Sequence, residues 1–351
     1  MKKTIFALLY SLTFCFGQSD NDQPLNVILL IGDGMGLSQI SAGMYFNNNQ
    51  TVLEEFPHVG LSKTHSANNL VTDSAASGTA MACGEKTLNG VIGINSQNEK
   101  LKSILEICKE KGYNTGLIAT SSIVHATPAS FYAKIDSRKK YEDIALQLSQ
   151  SEVDYFIGGG KNFFMKREDK RNLIKEMSEV EIVKNLNGFK KSTNERIGLL
   201  THPEEPPALK GGRKPLLDAY LSATLEKMEQ RQKPFFIMVE GSQIDWGGHA
   251  NDIDYITSEF VEFNNTIAVA LDFAKKNQNT LVVVTADHET GGLAITLGKI
   301  DPIEFRSDFN TTGHSATMVP VFGYGKKAEF FSGIYDNTQI FHKINKAVEG
   351  K

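Results

Sequence analysis

Six short apolar runs, none of them alternating with polar residues, constrain this chain more than any other feature. They cover residues 25–32, 115–120, 155–158, 235–240, 281–286 and 318–323, and are built mainly of Val, Ile, Leu and Phe. A strand with one face in water reads apolar–polar–apolar. A continuous apolar run belongs to a strand covered on both faces. Between the runs lie helical patterns at 101–111, 141–149, 216–231, 253–276 and 338–348. Strand then helix, repeated, implies right-handed crossovers, and so an α/β fold with a mostly parallel central sheet and helices on both faces. No linker, charge block or internal period divides the chain, so residues 18–351 are expected to form a single domain.

The start of the chain has a different character. Lys2 and Lys3 precede an apolar run over residues 5–16, and a polar stretch follows. This is the layout of a secretory signal, too short to span a bilayer comfortably. Cleavage after Gly17 is expected, with a lipid anchor on Cys15 as the alternative, although the bulky Phe14 fits a lipidation site poorly. The destination is export, to the periplasm or the medium. No other apolar stretch is long enough to span a membrane.

Without residues 1–17 the chain carries 35 basic and 41 acidic residues. Nucleic-acid binding usually needs a clear basic excess, so it is not expected. Cys83 and Cys108 remain. One disulfide is possible between them, but two buried free thiols fit their helix-like and turn-like surroundings better. An exported chain without a disulfide framework must rely on its core and on metals.

In open α/β sheets ligands bind at the carboxyl ends of the strands. The unusual polar residues of this chain fall there. Asp33 follows the first run and Glu240 ends the fourth, with Asp245 and His249 just beyond it. Asp287 and His288 end the fifth run, His314 precedes the sixth, and His125 and Thr127 come shortly after the second. Singly, each has a plain structural reading as a cap, a turn residue or a solvated charge. Together, carboxylates grouped at one sheet edge would repel one another unless cations sat among them. Carboxylate with imidazole and no cysteine suits zinc at a catalytic site, and carboxylate with hydroxyl suits magnesium.

A nucleophile candidate lies in VTDSAASGTAMACGEKT. Ser74 falls in the first turn of an expected helix, where free N–H groups and the helix dipole favour an anion. By itself Ser74, or Asp73, could be only an N-cap. Beside a divalent cation, a serine can ionise and attack phosphorus.

These residues sit in motifs that resemble the alkaline phosphatase family over nearly the whole chain beyond the leader. The motifs are GDGMG at 32–36, TDSAASGTA at 72–80, HATPASFYA at 125–133, VEGSQIDWGGHAND at 239–252, TADHETGG at 285–292 and TGHSATMVPVFGYG at 312–325. The resemblance implies two zinc ions with a magnesium ion behind them. The first zinc would take Asp245, His249 and His314. The second would take Asp33, Asp287 and His288, with Ser74 completing it as the alkoxide nucleophile. Magnesium would take Asp33, Thr127 and Glu240. Arg138, thirteen residues beyond His125, falls at the family's phosphate-binding arginine. Its planar fork can hold two phosphoryl oxygens at once.

The implied reaction is hydrolysis of phosphate monoesters, broad in the alcohol part, through a phosphoserine and with inorganic phosphate as product. Homodimers are common in the family. Sulfatases of the same superfamily need a C/S-x-P-x-R context, whereas Ser74 is followed by Ala-Ala-Ser. Diesterases usually carry a threonine nucleophile, and a phosphate- or metal-binding protein without turnover would not need the intact serine. Two positions depart from the best-known bacterial pattern. His125 stands where many relatives have Asp, which makes the third site partly suited to zinc. Trp246 stands where Lys or His is common, which removes a cation from the phosphate pocket. Both His125 and Trp246 are expected to border the substrate. The pair implies a loosely held third metal, weaker phosphate binding, and activity that depends on added magnesium.

Overall fold

The computed structural model describes residues 24–350. The expected leader over residues 1–17 lies outside them. Fourteen strands occur among the described residues: β1 Asn26–Gly32, β2 His58–Lys63, β3 Asn114–Ser122, β4 Tyr155–Gly159, β5 Glu181–Val183, β6 Ile197–Leu200, β7 Phe235–Gly241, β8 Thr280–Ala286, β9 Glu289–Thr290, β10 Ala294–Ile300, β11 Ile303–Asp308, β12 His314–Ser315, β13 Val319–Gly325 and β14 Gly333–Asp336. Ten form one sheet in the order β14-β2-β13-β8-β1-β7-β3-β4-β6-β5. Its pairings are parallel except those of β13, which runs antiparallel to both β8 and β2. The fold is therefore α/β with a mostly parallel central sheet.

The unbroken apolar runs have a direct physical cause. Val27, Leu29 and Ile31 of β1 join one core layer, while Ile28 and Leu30 join the other. Successive strand side chains point to opposite faces, so a strand packed on both sides needs apolar residues at every position. The first layer is closed by the helices Ser74–Cys83, Ile104–Glu110 and Thr338–Val348, through Ala75, Met81, Ile104, Ile340 and Ile344. The second is closed by Leu37–Phe46, Leu217–Gln230 and Ile253–Lys276, through Ile40, Leu221, Phe260 and Ile267.

All six expected strands are present, as are the five helices, with one trimmed start. The helix expected from residue 101 begins at Ile104. Ser103 accepts from the Glu106 N–H, and the Glu106 carboxylate accepts from the Ser103 N–H at 2.7 Å. That reciprocal cap fixes the start. Cys83 and Cys108 are buried free thiols, as expected. Burial pushes both up to about 12, which leaves them unreactive. Among the described residues no helix is long and apolar enough to cross a membrane.

Candidate active site

The residues singled out by pattern converge on the carboxyl ends of four adjacent central strands, β8, β1, β7 and β3. Asp33 leaves β1, Glu240 is the penultimate residue of β7, and Asp287 with His288 leaves β8. His125 and Thr127 follow β3, at the start of the short helix Ala126–Ala129. The helix Gln243–His249 carries Asp245 and His249 four positions apart, hence on one face. His314 arrives on β12, which pairs with β9 and sets His314 opposite Thr290.

Close approach of the Asp33 turn to the helix Gln243–His249 depends on Gly34. Its φ is +70°, and a Cβ there would lie 2.7 Å from the Asp245 Cα and 2.8 Å from the Thr290 hydroxyl. Glycine alone fits that turn.

Three groups of ligand atoms are close enough to share an ion: Asp245 with His249 and His314; Asp33 with Asp245 and His288; and Asp33 with His125 and Glu240. Asp287 completes the second group, its Oδ2 lying 3.1 Å from His288 Nε2. Asp33 belongs to the second and third groups, and Asp245 to the first and second.

The histidines are oriented by their other ring nitrogens. His249 Nδ1 lies 2.6 Å from the Thr312 carbonyl, His314 Nδ1 lies 2.8 Å from the Thr72 carbonyl, and His288 Nδ1 lies 3.2 Å from the Thr290 hydroxyl. An Nδ1–H donated to a carbonyl leaves the Nε2 lone pair for a metal. The Nε2 atoms of His249 and His314 then face each other at 3.2 Å. Two lone pairs at that separation repel unless a proton or a cation lies between them.

Unpartnered atoms carry the same message. Asp33 Oδ1, Asp287 Oδ2, Glu240 Oε1, Thr127 Oγ1 and His125 Nδ1 are buried without a hydrogen-bond partner. Buried acceptors without donors are costly and rare, and here they gather at one place. The donor set, carboxylate, imidazole and hydroxyl, fits divalent cations.

Protonation of the metal-free site fits this. Burial, and then the charges of Asp287, Asp245 and Glu240, push Asp33 well above the usual carboxylate range. Burial pushes Glu240 up to about 7, although the hydroxyls of Ser242 and Ser121 bond to it. Burial works against ionised Asp245 too, but the bond from His249 and the charges of His288 and His314 outweigh it and hold that carboxyl low. The bond to Asp245 lifts His249 to about 9. Burial opposes charge on His288, yet Asp287 overrides it and raises that imidazole. Protons thus balance the carboxylates where cations are absent, and metal binding must displace them.

Ser74 opens the helix Ser74–Cys83 and is capped by the preceding Asp73, whose side chain accepts from the Ala76 N–H at 3.0 Å. Its Oγ lies 3.2 Å from His288 Nε2 and 3.5 Å from Asp33 Oδ2. Arg138 faces the same helix end, its Nη1 donating to Asp73 Oδ2 at 3.0 Å, with Nη2 3.4 Å from His125 Nε2. The His125 and Trp246 rings meet edge to face at 6.2 Å. Burial and the Arg138 charge drive His125 down to about 3, so it is a neutral imidazole.

Pattern reading missed Asp73 as the partner of Arg138 and the hydroxyls of Ser121 and Ser242. Those two hydroxyls donate to the same oxygen, Glu240 Oε2, at 3.2 and 2.6 Å. They leave Oε1 free to face the third ligand group. Small polar residues beside a buried carboxylate leave no trace in the sequence until the fold places them.

Residues 25–308 match the alkaline phosphatase family. Alkaline phosphatase 3 of Bacillus subtilis is 34% identical, over 95% of this chain and 90% of that protein. The solved alkaline phosphatase of the Antarctic bacterium TAB5 is 43% identical with a TM-score of 0.88, covering 93% of this chain and 98% of its own. A histidine-to-glutamate variant of that enzyme, 44% identical with a TM-score of 0.87 and the same coverage, was solved with magnesium in its M3 site. With the family match spanning residues 25–308 and the fold matching the solved enzymes, this chain belongs to the alkaline phosphatase family of phosphomonoesterases.

Proposed function

We propose that this protein hydrolyses phosphate monoesters in two in-line displacements at a site of two zinc ions and one magnesium ion, with Ser74 as nucleophile. The observation that carries the reading is Ser74 Oγ within 3.2 Å of His288 Nε2 and 3.5 Å of Asp33 Oδ2, at a helix N-terminus beside Arg138. Asp245, His249 and His314 would hold one zinc, and Asp33, Asp287 and His288 the other. Asp33, Thr127 and Glu240 would hold magnesium, with His125 near enough to draw zinc there. When bound, these ions supply positive charge that lowers the pKa of hydroxyl and water and neutralises phosphoryl oxygens.

The chain's own residues do the rest. Ser74 attacks phosphorus as the bond to the alcohol oxygen breaks and the alcohol leaves, giving phosphoserine; water then attacks phosphorus from the vacated side, releasing inorganic phosphate and restoring the serine hydroxyl. Arg138 forks two phosphoryl oxygens, and Asp73 fixes the guanidinium plane. His125 and Trp246 form a neutral wall near the phosphate, which favours release of the product. Recognition concentrated on the phosphoryl group leaves the alcohol part unspecified. Single-domain organisation, export to the periplasm or medium, and a homodimer belong to the same proposal.

The test is hydrolysis of a chromogenic monoester beside the matching diester and sulfate ester, at mildly alkaline pH with zinc and magnesium supplied. Strong turnover of the monoester alone supports the reading. Preference for either other ester moves the activity elsewhere, and silence on all three with metal bound sinks turnover altogether.

Arg138 offers a finer test. Arg138→Ala is expected to lower kcat/KM about 100-fold, roughly 2.7 kcal/mol of transition-state binding, and Arg138→Lys to recover about a tenth of the loss. Equal activity in the two variants would mean that charge alone matters and the fork does not.

A further inference from the structure

Glu289 is a buried carboxylate that neither the ligand groups nor Arg138 explains. It is 5% exposed, and among the described residues no lysine, arginine or histidine forms an ion pair with it. Four neutral donors surround it, two on each oxygen. Gln39 Nε2 at 2.7 Å and the Leu293 N–H at 3.1 Å donate to Oε1. The Gly292 N–H at 3.3 Å and the Ser315 hydroxyl donate to Oε2.

These donors come from three segments, each attached to metal ligands. Gln39 lies on the helix Leu37–Phe46, which begins four residues after Asp33. Gly292 and Leu293 form the turn after Asp287 and His288. Ser315 adjoins His314 and lies opposite Glu289 in the β9–β12 pair. Gln39 Nε2 also donates to the Thr290 carbonyl at 2.7 Å. The fit around the carboxylate is tight, since a Cβ on Gly36 would come within 2.5 Å of Glu289 Cγ.

The rings whose placement depends on this junction are stacked. His288 and His314 lie 3.5 Å apart between centroids, at 18°. Each presents its Nε2 to a different ligand group, His288 toward Asp33 and Asp287, His314 toward Asp245. Stacked imidazoles on two separate backbone segments keep that registry only if the segments are tied together. A carboxylate can accept on both oxygens at once, and its negative charge raises the basicity of nearby ligand imidazoles.

We infer that Glu289 is a positioning residue that ties the Asp33, His288 and His314 segments together and so sets the retention of both zinc ions. This rests on the two-zinc reading above. Glutamine at this position would turn a donor toward one pair of donors and break the junction on that side.

The test is transfer of zinc from the loaded full-length protein to an excess of a coloured chelator, followed in time. The unaltered chain should release two zinc ions slowly. Glu289→Gln should release both about 10- to 100-fold faster. Its metal-free form should melt with the unaltered one, and saturating zinc should restore kcat. Release within threefold of the unaltered rate would overturn the inference. So would a metal-free melting temperature lowered as far as that of the loaded form, which marks a merely structural role. Should Glu289→Gln not fold, Ser315→Ala keeps the carboxylate and three of its donors. It must still quicken release at least threefold, and no change there overturns the inference equally. An unaltered chain that never holds two zinc ions would sink the two-zinc reading itself.

Discussion

Ser74→Ala is expected to lower kcat for a phosphate monoester by at least about 1,000-fold, roughly 4 kcal/mol of transition-state stabilisation. The substitution deletes one hydroxyl from a buried first-turn position and keeps the Asp73 cap. Fold and metal content should therefore survive. Metal analysis and a melting curve on the same sample separate loss of chemistry from loss of structure. Inorganic phosphate should still bind, because Arg138 and the carboxylate and imidazole ligands are untouched. A variant that keeps more than about a tenth of the activity would mean that water attacks phosphorus directly and that no phosphoserine forms.

Metal removal is expected to have the second largest effect, on stability as well as on rate. Ions that bind the folded chain alone stabilise it by mass action, about 4 kcal/mol for each site held at a thousand times its Kd. Two such sites correspond to roughly 10 °C in melting temperature for a chain of this size. The sign of the pH dependence follows from the shifted groups. Glu240, raised to about 7, and His249, raised to about 9, both bind protons more tightly in the folded state. Their contributions are complete below their ordinary values and fade as pH climbs through 7 and then 9. His125 and His314, lowered to about 3 and about 4, act in the opposite sense, but their effect is complete above about 6.5. Chelated protein should therefore lose stability between about pH 6.5 and 9, while loaded protein holds level. The gap between the two melting temperatures should widen with pH. A gap that narrows over that range would contradict the assignment of these carboxylates and imidazoles to cations.

The sheet and its ligand positions were legible in sequence because each rests on a strong local signal. Unbroken apolar runs encode strands buried on both faces, and an acid or imidazole directly after such a run falls at the ligand-binding edge. What escaped was carried by weak signals. In β2, His58–Lys63, buried and partly exposed positions mix, and β5 and β6 span only three and four residues. Strands that short owe their place to neighbours already in the sheet. The hairpin of β10 and β11 pairs away from the main sheet, with Leu297 and Ile300 left largely exposed. At the site, Asp73 was readable as a cap, while its hold on Arg138 depends on a contact across 65 positions. Glu289 was visible in TADHETGG, but nothing in the sequence announces that four donors from three segments meet on it.

The ligand groups draw on residues from Asp33 near the beginning of the chain to His314 near its end. No partial chain contains a complete set for any group that includes His314. Strand pairing among such distant segments is slow, because long loops must close before contacts repay them. Metal capture by the group that includes His314 therefore has to wait for that late segment to take its place. A chain crossing a membrane unfolded would acquire its ions only on the far side, drawing on the supply there. The metal content of a harvested sample then records how fully the folded chain has been loaded there.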